Sequence, residues 1–358
     1  MRTIVRAITF HLGLRKWNRE ELEKGINTIY KFKDYAEKLA KELNIELWTI
    51  RVSTPKIPRS VNIYEFIDFL DKEIPENILI ATGHTDENDP RALSNCVDIL
   101  CNYKRIYLSI NIHSIKGIDT YLSIIKKLSE SCMEASTRLA SIMGKTIITP
   151  YFPASVTDVG VNGITIALRY IHNLKYSKWY IDENSIIEVF NKAETYGKLL
   201  AERLGVEFLG IDPSLSPWIK ESIGRVIEEI SSEEIPSLST LYAIRLLNEA
   251  IIKIYDKFKI TGFAEVMMPV AEDEVLIKRA IEGKLSLTYL VSAAAQCVAG
   301  IDMIALNSEK LAKQALIATL SLSRAKSKTQ AARVILATNY RVGDIIRLRN
   351  LEIPVITL

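Results

Sequence analysis

The segment VEFLGID, residues 206–212, decides the fold class of this 358-residue chain. It is a short apolar run that ends in the carboxylate of Asp212, and it follows a helical pattern over 186–204 that stops at Gly205. A helix, a glycine and then a buried strand are typical of an alternating α/β architecture. Because the ends of parallel strands meet along one edge of a sheet, Asp212 is also a candidate functional residue.

The same alternation continues along the whole chain. Short runs rich in β-branched residues predict strands over 2–10, 46–53, 77–81, 105–112, 145–151, 206–211, 261–270, 300–306, 333–337 and 354–358. Apolar residues at three- and four-residue spacing predict helices over 19–43, 119–143, 186–204, 239–258 and 308–323, with Asp119 and Ser239 as N-terminal caps. We therefore predict a mainly parallel sheet covered by helices on both faces. No linker divides the sequence, so we expect one domain over 1–358.

The overall composition narrows the class of partner. The formal net charge is +3 and the basic residues are scattered, so we do not expect nucleic acid as a partner. The densest basic stretch, 324–328 with Arg333, is interpreted as a solvated helix face. No apolar run reaches the ~20 residues of a membrane span, so we expect a small-molecule partner and no membrane.

The cysteines indicate a cellular compartment. Neither a Cys-x-x-Cys pair nor zinc-finger spacing is found among Cys96, Cys101, Cys132 and Cys297. The N-terminus MRTIVRAITF is too short and too broken by arginine for a signal peptide. We therefore expect a soluble protein in a reducing cytoplasm.

Acids occur at or near the ends of three predicted strands. They are found in GIDPSLSPW (Asp212, with Ser214), GFAEVMMPVAED (Glu272 and Asp273) and AGIDMIAL (Asp302). An acid in an apolar strand, such as Asp302, must be paired, hydrogen-bonded or aimed at a cavity, because burial of a bare carboxylate is too costly. Such carboxylates can serve as acid–base groups, and a Mg²⁺ or Mn²⁺ site is compatible with Glu272, Asp273 and Asp302.

Each of these residues could instead have a purely structural role. Asp212 before a proline can initiate a turn, and the adjacent acids at 272–273 can open a helix. Cys297, five residues before Asp302, can be a silent core thiol. A nucleophilic Cys297 would require exposure and a pKa lowered by a neighbouring cation.

Four further residues are candidates for substrate binding. Arg51 and Arg91 can clamp an anion through paired hydrogen bonds, although each can equally form a surface ion pair. Ser214 can donate its hydroxyl group. His84 lies in the loop TGHTDENDPRA and can bind substrate or, with Asp86, a metal, but a solvated acidic loop is the alternative.

Five segments, LWTIRVST, PYFPAS, GIDPSLSP, GFAEVMMPVAED and QCVAGIDMIAL, together resemble an uncharacterised conserved family, a domain of unknown function. That family is similar in fold to the pyruvate formate-lyase-like glycyl radical enzymes. The resemblance implies a closed, roughly ten-stranded barrel of two parallel α/β halves surrounded by helices, here about 1–205 and 206–358. No radical glycine is expected, because the residue after Gly343 is not aromatic.

The resemblance implies signature positions but no activity. These positions are Asp212, Glu272, Asp273, Asp302 and Cys297. We expect an enzyme that acts on a small polar or anionic metabolite through the strand-end carboxylates, with a divalent cation or Cys297 as further candidate participants. The alternative is a non-catalytic ligand-binding or regulatory protein, possible also as a homo-oligomer. In that protein the same acids would satisfy backbone donors around a filled barrel.

Overall fold

A curled half-barrel of strands, covered by helices, organises the chain. The computed structural model describes residues 3–358, except for the side chains of residues 92 and 93. The strands are β1 (Thr3–His11), β2 (Ile45–Leu47), β3 (Ile50–Ser53), β4 (Ile78–Ala81), β5 (Thr85–Asp86), β6 (Ile106–Ile112), β7 (Leu139–Met143), β8 (Gly163–Arg169), β9 (Lys175–Ser177), β10 (Tyr180–Asp182), β11 (Glu207–Asp212), β12 (Met267–Pro269), β13 (Ala299–Asp302), β14 (Ile304–Leu306), β15 (Gln330–Ala332), β16 (Val334–Leu336), β17 (Ile345–Leu348) and β18 (Leu351–Pro354).

The helices pack around these strands. They are α1 (Arg19–Glu42), α2 (Ile63–Glu73), α3 (Pro90–Asn102), α4 (Ile115–Ser131), α5 (Asn184–Leu204), α6 (Ile223–Ser231), α7 (Leu238–Ile252), α8 (Glu274–Ile281), α9 (Leu287–Ala294) and α10 (Glu309–Lys326). Short 3₁₀ turns lie at Met133–Arg138, Ile171–Asn173, Tyr255–Lys257 and Val270–Glu272.

The main sheet follows an eight-strand path in the order β11-β8-β1-β3-β4-β6-β7-β15. Strands β1, β3, β4, β6 and β7 run parallel to one another, as the sequence predicts. Strand β8 runs antiparallel to β1, and β15 runs antiparallel to β7. The two halves of the chain therefore meet in opposite directions, which brings the starts of the first-half strands next to the ends of the second-half strands.

The strands of the second half pair only in part. Among the described residues, β12 pairs with β13 and β14 with β16, each as a separate two-stranded parallel sheet. The sheet path does not close on itself, so a closed ten-stranded barrel is not confirmed. An α/β fold is confirmed.

Several predicted elements are wrong. The helix predicted over 119–143 ends at Ser131, and its last part is the fully buried strand β7. Short apolar runs do not distinguish a buried strand from a helix by periodicity. The predicted cap Asp119 lies inside α4, whose cap is Ser114, and α7 is capped by Ser237 rather than Ser239.

Strand boundaries differ in a similar way. The predicted strand 145–151 is a loop, and β8 was not predicted at all. The strand predicted over 261–270 shrinks to β12, and that predicted over 354–358 is replaced by β18. The strand predicted over 2–10 begins at Arg2, which lies outside the described residues.

A disulfide joins Cys101 near the end of α3 to Cys132 at the end of α4. The sequence analysis did not predict this bond. Structural disulfides persist mainly in oxidising compartments, so the cysteine pattern no longer supports a reducing cytoplasm. Among the helices described, none combines the length and the apolar character needed to cross a bilayer.

Candidate functional site

A cavity of ≈ 300 Å³ lies where the two halves of the chain meet. Arg51 at the start of β3 and Tyr107 at the start of β6 line one side. Pro269 and Asp302, the last residues of β12 and β13, line the other side. The antiparallel junction of the halves explains this arrangement, because it places strand starts opposite strand ends.

A buried ion-pair cluster forms one wall of the cavity. The Arg333 guanidinium donates to Asp302 from Nε at 2.8 Å and from Nη2 at 2.6 Å, and to Glu272 from Nη2 at 2.9 Å. Arg6 donates from Nη2 to the other oxygen of Glu272 at 2.8 Å. Burial by itself raises the pKa of Glu272, but Arg333 and Arg6 outweigh it and hold that pKa below the ordinary value. Glu272 is therefore an ionised, weakly basic carboxylate.

Arg51 differs from the other cavity arginines because no acidic side chain of the described chain neutralises it. Its Nε donates to Thr49 Oγ1 and its Nη1 to the carbonyl oxygen of Pro150, both at 3.0 Å. Its Nη2 has no hydrogen-bond partner among the described residues. Burial, together with the positive charge of Arg6, lowers the pKa of the Arg51 guanidinium to about 10. An anion bound beside Arg51 would relieve this unfavourable environment.

Aromatic side chains enclose the charged groups. The Trp48 and Trp218 rings meet edge to face with centroids 4.8 Å apart, and Arg6 lies over both rings at 5.3 and 5.6 Å. Arg51 lies 5.0 Å from the ring centroid of Phe152, which in turn packs against Tyr107 at 5.4 Å. Aromatic faces attract cations and reduce access of water, so they hold the guanidinium groups in place.

Asp212, a predicted catalytic acid, does not line the cavity. Its carboxylate is fully buried and accepts hydrogen bonds from the Ser214 hydroxyl at 2.6 Å and the Thr149 hydroxyl at 2.8 Å. It also accepts from the backbone amides of Ser214, Phe263 and Ala264. Asp212 thus ties three loops together, and the predicted substrate-binding hydroxyl of Ser214 is occupied by this bond.

Asp273 also has a structural role, as the N-terminal cap of a helix. It caps α8 by accepting from the amides of Val275 and Leu276, and it accepts from the Ser222 hydroxyl at 2.7 Å. The structure therefore agrees with the interpretation of the adjacent acids as a helix opening. Of this pair, only Glu272 lines the cavity.

Cys297 does not meet either condition for a nucleophile. Its side chain is fully buried in the hydrophobic core and does not line the cavity. Burial raises the pKa of the thiol to about 12, so the thiolate form is strongly disfavoured at neutral pH. The structure thus agrees with the core-thiol interpretation.

His84 and Arg91 lie away from the cavity. The His84 ring is buried against the Ser109 hydroxyl, and burial lowers its pKa to about 3. Arg91 is held by Asp89 and by the carbonyl oxygen of Ile57, both bonded by Nη2. Neither side chain is available to a ligand in the cavity.

The candidate metal ligands do not form a coordination set. Asp273 points to α8, while the carboxylate oxygens of Glu272 and Asp302 are taken up by arginines. Within residues 3–358, no group of three or more His, Cys, Asp or Glu side chains is placed to hold a metal ion. The donor set therefore does not fit a Mg²⁺ or Mn²⁺ ion, which needs several free oxygen ligands.

Sequence reasoning missed two central residues. Arg6 was not singled out, and Arg333 was assigned to a solvated helix face, which is wrong because its side chain is only 14% exposed. Each is a charged residue in or beside an apolar strand, in TIVRAITF and AARVIL. The burial argument applied to Asp302 applies equally to these guanidinium groups and was the available signal.

The sequence of the chain is similar to those of known proteins. A family model described as "Uncharacterised ACR (DUF711)" matches residues 1–349. A UPF0210 protein of Ruminiclostridium cellulolyticum is 26% identical over 393 aligned positions, covering 95% of this chain and 87% of that protein. A UPF0210 protein of Leuconostoc mesenteroides is 28% identical, and the match covers 72% of this chain but only 62% of that protein, less than two thirds of its length.

Proposed function

The chain belongs to the DUF711 family of uncharacterised proteins, and we propose that it binds a small anionic metabolite in the cavity and acts on it as an enzyme. The observation that carries this proposal is the Arg51 guanidinium, which faces a half-buried cavity without an acidic partner. A desolvated cation of this kind is typical of an anion-binding site.

The proposed chemistry relies on arginines rather than on carboxylates. Arg51 lines the cavity without an acidic partner, and such a fixed cation stabilises negative charge that develops on a substrate during reaction. Glu272 and Asp302 hold Arg333 in place, and the lowered pKa of Glu272 makes that carboxylate a weak base. Tyr151 also lines the cavity; burial keeps its pKa above the ordinary value, and its hydroxyl donates to the carbonyl oxygen of Ser214 at 3.2 Å.

A non-catalytic ligand-binding protein is the second candidate. It is favoured by the pairing of both cavity carboxylates with arginines, since an acid–base enzyme needs a free base. The two candidates differ in turnover, not in binding. In either case we propose that the protein forms a homo-oligomer. We also propose that its partner is a small molecule rather than nucleic acid or a membrane.

A closed barrel remains a proposal about the architecture. We propose that β11 to β15 complete a ten-stranded barrel like that of the pyruvate formate-lyase-like enzymes. The parallel bridge between Ile211 and Ile260 and the pairing of β15 with β7 support this arrangement.

The test measures thermal unfolding of wild-type protein and Arg51→Gln with a panel of small carboxylates and phosphate esters. We expect at least one anion to raise the unfolding temperature of the wild type only, because a ligand that binds the folded state stabilises it. Mass spectrometry of the same mixtures then distinguishes an enzyme, which depletes the ligand, from a binding protein, which does not. If no anion gives a shift that depends on Arg51, the proposal is wrong.

A further inference from the structure

We infer that the ligand is a monocarboxylate with an apolar body, and that the cavity excludes dianions and amino acids. This inference rests on the proposed function and specifies the substrate class of the same site. It follows from three features of the cavity: its balance of charge, the pairing of its carboxylates with arginines, and its apolar walls.

The charges of the inner cavity leave a single positive charge. Three guanidinium groups, those of Arg6, Arg51 and Arg333, face two carboxylates, those of Glu272 and Asp302. The ligand that neutralises this balance carries one negative charge. In the described part of the chain, no lysine or histidine lines the cavity to add to it.

Arg349, at the tip of the β17–β18 hairpin, lies outside this inner group and is held by residues beyond the cavity. Although it lines the cavity mouth, its Nε forms an ion pair with Glu134, and its Nη2 donates to the carbonyl oxygen of Lys104 at 2.9 Å. Its guanidinium is therefore held by an acid that does not line the cavity and that also forms ion pairs with Arg138 and Lys104. This leaves Arg51 as the anchor for the ligand.

Each carboxylate oxygen of the cavity already accepts a hydrogen bond from an arginine. Glu272 Oε1 accepts from Arg333 and Oε2 from Arg6, while both oxygens of Asp302 accept from Arg333. A ligand ammonium group would therefore meet only carboxylates whose charge is already paired with a guanidinium group. A zwitterionic amino acid would have to leave its ammonium group unpaired in a half-buried cavity, which is costly.

A second anionic group on the ligand meets the opposite problem. Arg6 and Arg333 are committed to Glu272 and Asp302, so a second carboxylate or a phosphate dianion would approach two negative charges without a free guanidinium. Like charges in a partly desolvated site repel strongly. The Nη1–Nη2 edge of Arg51, by contrast, suits one carboxylate, because only one Nη1 hydrogen is used by Pro150.

The walls opposite the charges select the body of the ligand. Phe152, Phe263, Met267 and Leu79 line the cavity, and Tyr107 packs on Phe152 beside Arg51. Flat apolar groups bury well against such rings. A carboxylate attached directly to a flat apolar body therefore satisfies Arg51 and the walls together.

The experiment compares probes that share one body and differ in charge. Binding of benzoate, benzamide, phthalate, phenyl phosphate and L-phenylalanine to the full chain is measured by isothermal titration and thermal unfolding. We expect benzoate to bind at least about tenfold more tightly than each of the others, and than acetate, which lacks the body. Arg51→Gln should remove the preference for benzoate over benzamide, and Arg51→Lys should retain part of it.

The matched control is Arg324→Gln. Arg324 lies in a separate basic groove with His113, Lys145 and Lys328, and its change removes one positive charge without touching the cavity. Loss of benzoate binding in Arg324→Gln but not in Arg51→Gln would overturn the inference, because the anion would then occupy the groove. Phthalate, phenyl phosphate or L-phenylalanine binding as tightly as benzoate, and dependent on Arg51, would overturn the inference while supporting the proposed function. Absence of any Arg51-dependent binding would overturn both.

Discussion

Replacement of Arg333 by methionine is the sharpest test of the cavity wall. The guanidinium makes three side-chain hydrogen bonds, two to Asp302 and one to Glu272, and its backbone amide adds a fourth to Asp302 at 3.0 Å. The side chains of Arg333, Glu272 and Asp302 are 14%, 7% and 10% exposed. Methionine fills a similar volume but leaves Asp302 with only the backbone amide and Glu272 with only Arg6.

The expected loss in the free energy of unfolding is about 3–5 kcal/mol at pH 7, the usual cost of leaving a buried charge without its partner. Total stabilities of proteins are about 5–15 kcal/mol, so the variant should fold but with a reduced margin. The loss should shrink in acid. In the wild type the pKa of Glu272 is lowered, so its contribution is present above the unfolded pKa of about 4.3 and is lost as pH falls through the lower folded pKa. The variant lacks one of the two arginines that lower this pKa, so the pKa rises above its wild-type value and protonation relieves part of the penalty.

Urea denaturation followed by circular dichroism at pH 7 and pH 5 measures the loss in the free energy of unfolding and its dependence on pH. Arg245→Met, which breaks an exposed helix ion pair with Glu249, is the control and should change stability little at either pH. The triple variant with Arg333→Met, Glu272→Gln and Asp302→Asn should recover most of the loss, because no buried charge is then unpaired. A loss below about 1 kcal/mol for Arg333→Met, or a loss independent of pH, would refute the assignment of this cluster as a buried ion-pair network.

Three further predictions test the structural roles of other residues. Gly262→Ala should lower the free energy of unfolding by more than the roughly 1–2 kcal/mol that a left-handed non-glycine residue costs, because φ is +77° and the new Cβ would collide with the Asp212 carboxylate. Gly283→Ala is the control in chemical denaturation, since Gly283 has a similar φ of +69° but open space around its Cβ position. Cys297 should resist iodoacetamide at pH 8 in the folded protein and react after denaturation, as read by mass spectrometry; labelling of the native state would contradict its burial. Because burial lowers the pKa of His84 from 6.5 to about 3, stability should fall as pH drops between these values, and His84→Gln should reduce that slope by about 1.4 kcal/mol per pH unit in pH-dependent urea titrations.

The first half of the sheet was predictable because its signals are local. Strands β3, β4 and β6 lie within a few residues of the predicted runs, and most residues of each strand are buried. Strand β8 was missed although GITIALR has a strand-like composition. It follows a loop rather than a helix and reverses direction at the junction of the halves, so the expectation of alternating strands and helices did not include it.

The cavity was predictable only as far as charges in apolar strands reveal it. Asp302 was selected because a carboxylate between Ile301 and Met303 demands a partner, and its partner is Arg333. The same reasoning would have selected Arg6. Pairing itself was not predictable, because residues 302 and 333 come together only through the packing of separate strand pairs in the second half.

Glu272 and Asp273 show why candidate acids could not be sorted from the sequence. They are neighbours, yet one carboxylate lies between two arginines of the cavity and the other caps α8. Glu272 ends the short 3₁₀ turn Val270–Glu272 and Asp273 is the extended N-cap of α8, so the division between site and scaffold depends on a single residue. Asp212 belongs with the scaffold, but it is not remote from function: through Thr149 and Phe263 it fixes the two loops that carry Tyr151 and Phe263 to the cavity. An acid that positions the walls of a site produces the same sequence pattern as an acid that reacts within it, and only the donors around each carboxylate distinguish the two.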